Sequence, residues 1–520
     1  MPSTIVEIKL KNYKRFRDYT IMPNPRVNIL VGDNEVGKSS ILEAIDLVTG
    51  GNVRKVESIG IDRLLSIEAV HDFNTGMRSY ANLPIMAVEL YLSGDFDHTM
   101  NGRNNSKGII CDGIRLVCAP NQDFQTAITE SLQEQADYFP YDYYSVRFST
   151  FADEGYNGYK KQLRSILIDS ANMNSEYATN DFIRRMYSQY TEDDIKERAV
   201  HKGKYRQLKT RFRTDSLNAL NSRIPAGKNY MFGLKPSFVY GLESDLMIYE
   251  DDIVIDSKGA GKQVFIKIDF ALERSGMNVD VVLIEEPENH LSHVNLRKLI
   301  QRVSETQSGQ LFVATHSSLI STRLELQNLH IMHVENAISP IPLSGLSTDT
   351  AKYFMKAPVA GILEFVISSK AILVEGPSEY MLIEKFYASV AGNKPEADGV
   401  HIIDVHGLSF KRYLEIAKLL GNKVAVITDN DKNAQKNCVE KYSEFRASNI
   451  EVFYEAEEAM YTFEVVLYGD NGMLCDTLFG DDALDYMLTN KTESAYTLLE
   501  QEKTITVPDY IRRAILWIKG

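Results

Sequence analysis

The stretch VGDNEVGKSS, Val31 to Ser40, decides the fold. From Gly32 to Ser39 it fits the phosphate-loop pattern G-x-x-x-x-G-K-[ST] without a mismatch. The residues before it, Arg26 to Val31, are apolar and β-branched and predict a strand. Ser40 to Ile45 predict the start of a helix. A strand, loop and helix in this order aim backbone N–H groups and a helix N-terminus at phosphate oxygens. Lys38 is expected to reach the β and γ phosphates of ATP, and Ser39 to hold Mg²⁺. Asn34, Gly37 and Ser40 complete the expected phosphate-facing set.

Working outward, the chain of 520 residues is too long for one core and predicts two to four domains. No apolar run reaches the roughly 18 residues of a membrane span, and the first residues alternate like a strand rather than a signal peptide. Cys111, Cys118, Cys438 and Cys475 form no C-x-x-C pair, which speaks against a zinc ribbon or a disulfide framework. A reducing cytoplasm, with no membrane partner, is the expected setting. The net charge of −14 does not suggest a general nucleic-acid coat, and any nucleic-acid contact is expected at a local basic patch. One such stretch runs from Lys196 to Arg213, where eight basic residues face the single acid Glu197 and Tyr205 and Phe212 interleave. It reads equally as a solvated helix face or as a phosphate-tracking surface.

Residues 4–10 read as a strand that, with 26–31, brackets the short basic segment Lys11 to Arg17. Met86 to Leu92 reads as a strand, and 160–220 as helical and charged. Residues 50–250 hold no catalytic constellation and read as an insertion, the usual place for a dimer or partner surface. Ser257 to Gln263, SKGAGKQ, is a small-residue turn before an expected helix over Val264 to Leu272. Ser257, Gly259 and Gly261 offer a hydroxyl and N–H groups at that helix start, which again suits phosphate. Val281 to Ile284 is a continuous apolar strand ending in Glu285-Glu286-Pro287-Glu288, the pattern of the second half of a P-loop ATPase site. Glu285 is expected to support Mg²⁺, and Glu286 to polarise the attacking water. The next strand, Gln310 to Ala314, ends in Thr315-His316-Ser317, which places His316 to sense the γ-phosphate.

After a linker around Asn336 to Asp349, a new domain is expected near Lys370. Strand Ala371 to Val374 leads into Glu375-Gly376-Pro377-Ser378-Glu379 and a helix from Tyr380. His401 to Val405 reads as a strand, Phe410 to Leu420 as a helix, and strand Lys423 to Thr428 ends in Asp429-Asn430-Asp431. Two parallel strands thus end in carboxylates, Glu375 with Glu379 and Asp429 with Asp431. Converging carboxylates repel unless divalent cations lie between them, and hard oxygen ligands favour Mg²⁺ or Mn²⁺. Such an ion acting on a phosphodiester is the natural chemistry.

The order of P-loop, SKGAGKQ turn, LIEEPE strand end and T-H-S strand end resembles ABC-type ATPases of the RecF/SMC kind. That resemblance implies a signature turn capping ATP on a partner's P-loop, hence a homodimer or higher even oligomer. Glu285 stands where the group usually has Asp, which points to slow hydrolysis or to ATP as a switch. The C-terminal motifs EGPSE and TDND resemble TOPRIM, and an ABC-type ATPase followed by TOPRIM resembles the OLD (overcoming lysogenization defect) nucleases. The implied fold is α/β: an ATPase N-terminal lobe over 1–160, a helical insertion over 161–240, an ATPase C-terminal lobe over 241–345, and a Rossmann-like TOPRIM domain over 365–520. By resemblance Glu375, Glu379, Asp429 and Asp431 bind catalytic metals, Glu464 supports them, and Lys491, ahead of a helix over Glu493 to Glu500, steadies the scissile phosphate. His406-Gly407 stands where relatives carry two glycines. The helix around Tyr510 to Trp517 is expected to close the domain. The implied function is an ATP-binding DNA endonuclease in antiphage defence, alone or with a helicase or a retron reverse transcriptase and its msDNA. The alternative is an ATP-driven DNA-binding sensor or repair ATPase with a silent TOPRIM. A topoisomerase or primase ranks below both, because the chain shows neither a breakage-reunion tyrosine domain nor a zinc ribbon.

Overall fold

The computed structural model describes residues 3–520 except 135–138, 158–162, 170–182, 185, 188–189, 192–193, 225–230, 235–241, 260, 264, 267–279, 290, 306–308, 333–338, 357–360, 408 and 502–503. The chain forms two compact units, one of residues 1–28 and 39–315, the other of 29–38 and 316–520. No helix among the described residues is long and apolar enough to cross a membrane.

The first unit carries an antiparallel sheet in which Thr4–Tyr13 lies between Phe16–Ile21 and Met86–Ser93. Met86–Ser93 continues to Cys111–Pro120, which pairs with Tyr144–Thr150. The basic segment Lys11 to Arg17 forms the tip of a hairpin, so the strand read over 4–10 runs on to Tyr13. Tyr13 pairs with Phe16, and Asn12 and Lys14 take the positive φ values, 49° and 48°, of its turn. Tyr13, Phe16 and Tyr19 are buried while Lys11 and Arg17 face solvent. The same unit holds three parallel strands, with Val281–Glu285 flanked by Ser165–Asp169 and Gln310–Ala314. Ser165–Asp169 corrects the helical reading of 160–220. Its SILID run is apolar and bounded by charge, too short to be told from a helix by pattern alone. Helix does appear over Ile195–Asp215, as expected. The helix expected over Val264 to Leu272 lies largely outside the described residues.

In the second unit Val27–Gly32 pairs in parallel with Leu329–Met332 through Ile29 to Gly32, and Ile341–Pro342 adds antiparallel to Leu329–Met332. The stretch read as a linker thus contributes a short strand, and its end begins a helix, Thr348–Lys356. A four-stranded parallel sheet follows in the order Val400–Asp404, Lys370–Val374, Lys423–Ile427, Ile450–Phe453. Its central strands, KAILV and KVAVI, are almost wholly apolar because both faces are covered. On one face Ile372, Val374, Ala425 and Ile427 pack against helices Pro377–Ala391 and Asp509–Lys519. The latter closes the domain as expected, with Lys423 Nζ donating to the Trp517 carbonyl at 2.6 Å. On the other face Tyr413, in helix Phe410–Leu420, stacks edge-on with Phe354 and Phe365 at 5.2 and 5.1 Å.

Candidate functional site

The C-terminal sheet is wound to one side of Lys370–Val374 and then to the other. In doubly wound sheets the crevice at such a reversal, at the carboxyl ends of the strands, takes the ligand. Glu375 directly follows Lys370–Val374, and Asp429 lies two residues past Lys423–Ile427. The Asp429 N–H and the Thr428 hydroxyl both aim at Glu375 Oε2, at 3.5 and 3.4 Å. Glu379 sits in the first turn of Pro377–Ala391, which starts three residues earlier than the sequence suggests because Gly376 caps it and Pro377 fits its first position. Glu464 lies in the first turn of Phe463–Phe479 and is buried. Acids in first turns are stabilised by the helix dipole. Lys491 is the first residue of helix Lys491–Leu499, not a residue ahead of it, and its Nζ donates to Glu464 Oε2 at 2.9 Å.

These groups act on one another. Burial raises the Glu379 carboxyl, Glu464 and Glu375 push it further, and Lys491 pulls it back. Asp429 is pushed up to about 8, first by burial and then by Glu379, Glu375 and Glu464. Burial raises Glu375 too, against the Asp429 N–H, Lys441 and Thr428. Asp431 adds its repulsion to Glu375 but stands exposed at the rim, its backbone turned to a φ of 45°. Among the described residues no three His, Cys, Asp or Glu side chains are gathered closely enough to hold one ion. The carboxylates share a field rather than a cage. Glu375, Glu379 and Asp429, an all-oxygen set that is part-buried, mutually repelling and raised in pKa, offer the hard donors that suit a divalent cation.

Sequence reasoning missed what holds the loop. Asn430, between the two acids, is buried, and its Nδ2 donates to the carbonyls of Glu455, Glu457 and Met460 at 2.9, 3.0 and 3.2 Å. A π-helical turn over Gln435–Glu440 closes on the loop from behind. Asn437 donates to the Asn430 carbonyl, and the Cys438 thiol to that of Asp429. The available signal was the polar residue inside T-D-N-D, at a place where a pure ligand motif needs none.

In the phosphate loop, Gly32 has φ 155° and Gly37 97°, and a Cβ on Gly32 would run into the Met332 carbonyl oxygen. Lys38 is buried, and its Nζ donates to the carbonyls of Gly32 and Asp33 at 2.9 and 2.8 Å. Asn34 and Ser39 are exposed and Ser40 half-buried, at the loop and the first turn of helix Lys38–Gly50. In the first unit Glu286 takes a φ of 40°, its N–H donates to Ala314 O at 2.8 Å, and its carboxylate accepts from Asn289 at 2.7 Å. Glu285 ends its strand, as expected. The Thr315 hydroxyl donates to Glu288 at 2.7 Å, and His316 follows, exposed. The SKGAGKQ turn is pinned. Lys258 and Lys262 both pair with Glu250, and Gln263 donates to the Lys258 carbonyl at 2.9 Å. Ser257 ends a short 3-10 turn, and Gly259 accepts from the Lys262 and Gln263 N–H groups.

Comparison with known proteins matches residues 367–431 to the overcoming lysogenization defect protein-like TOPRIM domain and residues 7–216 to an AAA domain. A second AAA-domain match covers residues 259–322. The DNA replication and repair protein RecF of Idiomarina loihiensis is 30% identical over 115 residues, 22% of this chain and 30% of that protein. Structural maintenance of chromosomes protein 5 of Arabidopsis thaliana is 41% identical over 51 residues, 10% of this chain and 5% of that protein. The chain spans less than a third of the RecF relatives it matches. Among solved structures, the C-terminal region of the Burkholderia pseudomallei OLD protein is 17% identical, covering 29% of this chain and 97% of that one with a TM-score of 0.25. The SMC head domain from Thermotoga maritima is 14% identical, covering 65% and 98% with a TM-score of 0.29.

Proposed function

We propose that this chain, in which an AAA-type ATPase domain is joined to an OLD-like TOPRIM domain, is an ATP-binding, divalent-metal-dependent DNA endonuclease. One observation carries the reading: Glu375, Glu379, Asp429 and Glu464 act on one another electrostatically at the winding reversal of one parallel sheet, with Lys491 paired to Glu464. Glu375, Glu379, Asp429 and Asp431 would hold Mg²⁺ or Mn²⁺, with Glu464 supporting. The ion supplies Lewis-acid activation of water and neutralises phosphodiester charge. Lys491 is half-exposed while its partner Glu464 is buried, so the ammonium can turn to a scissile phosphate without leaving the site. Asn430 keeps the Asp429–Asp431 loop in place while charges change around it.

On the ATPase side, Lys38 exchanges its two loop carbonyls for nucleotide phosphate, and Asn289 orients Glu286 as the water-polarising group. Ser257, Gly259 and Gly261 cap nucleotide across a homodimer, and His316 reads the γ-phosphate. The resemblance alone carries the wider proposal of an antiphage effector partnered by a helicase or a retron reverse transcriptase and its msDNA; a plaque assay with Glu375→Ala tests it.

The second reading, a DNA-binding ATPase with a silent TOPRIM, draws on the Glu464–Lys491 pair, in which a lysine supplies the positive charge an ion would bring. Nicking of supercoiled plasmid in Mg²⁺ or Mn²⁺ separates the two. We expect cleavage by the wild type and a loss of at least about 100-fold in Asp429→Ala with nucleotide binding kept, the scale of removing a principal electrostatic group. Equal rates in both proteins would remove the site from consideration.

A further inference from the structure

Helix Ile195–Asp215 has no use in the chemistry above and an unusual build: none of its described residues is buried over 21 positions. Most helices in folded proteins owe their stability to an apolar face packed on the body. Two contacts hold its N-terminal half. The Tyr187 hydroxyl meets His201 Nδ1 at 2.9 Å, and Lys202 pairs with Glu243 at 2.7 Å. Its own charges oppose it. Arg198–Lys202, Lys202–Arg206 and Lys209–Arg213 are like-charged pairs four apart, which destabilise a helix. Gly203 lies mid-helix with open space where a Cβ would be, so packing does not require a glycine there.

The surface has an order. At 3.6 residues per turn, Tyr205, Leu208 and Phe212 fall on one stripe, with Lys209 and Arg213 along one flank and Lys204 and Arg211 along the other. Leu208 and Phe212 are 63% and 46% exposed, and the Lys209 ammonium lies 4.6 Å from the Tyr205 ring centroid. Apolar and aromatic groups between two rows of cations suit one class of partner. Unpaired bases stack on the stripe while their phosphates meet the flanking cations. A duplex keeps its bases stacked inside and would leave the stripe unused. The stripe with its flanks, from Lys204 to Arg213, is about 14 Å long at 1.5 Å per residue, enough for a few nucleotides.

We propose that helix Ile195–Asp215 is a binding surface for single-stranded nucleic acid. The proposal deepens the nuclease reading by naming the form of substrate or guide that the chain holds, and its test is made without cleavage. The full chain is titrated in chelator with a fluorescent 20-nucleotide poly-dT, and the anisotropy is followed against salt. Lys209→Glu with Arg213→Glu should weaken binding at least tenfold. It should also flatten the plot of log affinity against log salt by about 1.4, since each phosphate left without its cation takes about 0.7 from the slope. Leu208→Ser with Phe212→Ser should weaken binding with the slope unchanged, a split that general loss of positive charge does not produce. Gly203→Ala, which adds helix propensity and touches nothing, controls for folding and should bind at least as tightly as wild type. Unaltered poly-dT affinity in both double variants overturns the proposal and leaves the nuclease reading standing. So does preferential binding of a 20-base-pair duplex or of phosphatidylserine vesicles through these same residues. Loss of plasmid cleavage in Asp429→Ala with poly-dT binding kept is expected if both readings hold.

Discussion

Gly32 and Asp429 show how much can hang on one residue. Gly32 combines a φ of 155° with a neighbouring carbonyl where a side chain would go. Gly32→Ala must therefore move Met332 or the loop, and we expect at least about 2 kcal/mol of lost stability together with lost nucleotide binding. Denaturant melts alongside ATP titration check this; a variant as stable as wild type would mean the loop is not built this way. Asp429 makes a pH prediction. Its folded-state pKa is pushed up to about 8, whereas an unfolded aspartate titrates near about 3.9. Between those values the folded chain holds a proton that the unfolded chain has released, so stability falls as pH rises through this window. Asp429→Asn removes the group, and its stability advantage in chelator should grow from pH 5 to pH 8. One pKa unit of relief is worth about 1.4 kcal/mol, so a gain of about 1 kcal/mol or more at pH 8 is expected in melts. An advantage equal at both pH values would contradict the raised carboxyl.

Elements that are both apolar and bounded by turn residues were legible in the sequence. Strands Lys370–Val374, Lys423–Ile427 and Val281–Glu285 and helix Phe410–Leu420 stand where KAILV, KVAVI, VVLIE and the run from Phe410 to Leu420 predict them. Elements defined by a partner were not. Ser165–Asp169 is a strand because Val281–Glu285 lies beside it, and Ile341–Pro342 because Leu329–Met332 does. Motif acids could be named from their strand ends, but their supports could not, since Asn430 acts through carbonyls 25 to 30 residues on and Asn289 and the π turn through local geometry that no motif marks. The loop carrying Asp429 and Asp431 depends on that support. Asn430→Ala removes an amide whose two N–H groups are shared among three carbonyls, at about 1 kcal/mol per N–H, so a loss of about 2 kcal/mol is expected with weaker Mn²⁺ uptake. Asn430→Asp cannot donate those bonds and should behave similarly. Calorimetric Mn²⁺ titration and melts would show it, and wild-type values in both variants would remove Asn430 from the support of the site.

At the scale of the whole molecule, an AAA-type ATPase domain and an OLD-like TOPRIM domain are carried by the same chain. If the SKGAGKQ turn caps nucleotide in trans, mixing Lys38→Ala with Ser257→Arg subunits should restore about half the ATPase sites per heterodimer, by counting of populations. No recovery with subunits shown to exchange would confine the turn to its own chain. ATP can bear on cleavage only by binding two states with different affinity. The acidic chain as a whole, at −14, further requires that nucleic acid be met at a concentrated basic element rather than over a broad surface. The proposed nuclease rests on the carboxylates at the sheet's winding reversal holding the ions that cut DNA. The most direct measurement is Mn²⁺ titration calorimetry on wild type, Glu375→Gln and Asp429→Asn at pH 7.5, with plasmid cleavage assayed on the same samples. Wild type should take up Mn²⁺ with proton release and cleave the plasmid, and the variants should lose both while ATP binding persists. Undiminished Mn²⁺ uptake and undiminished cleavage in both variants would contradict a metal nuclease at these carboxylates.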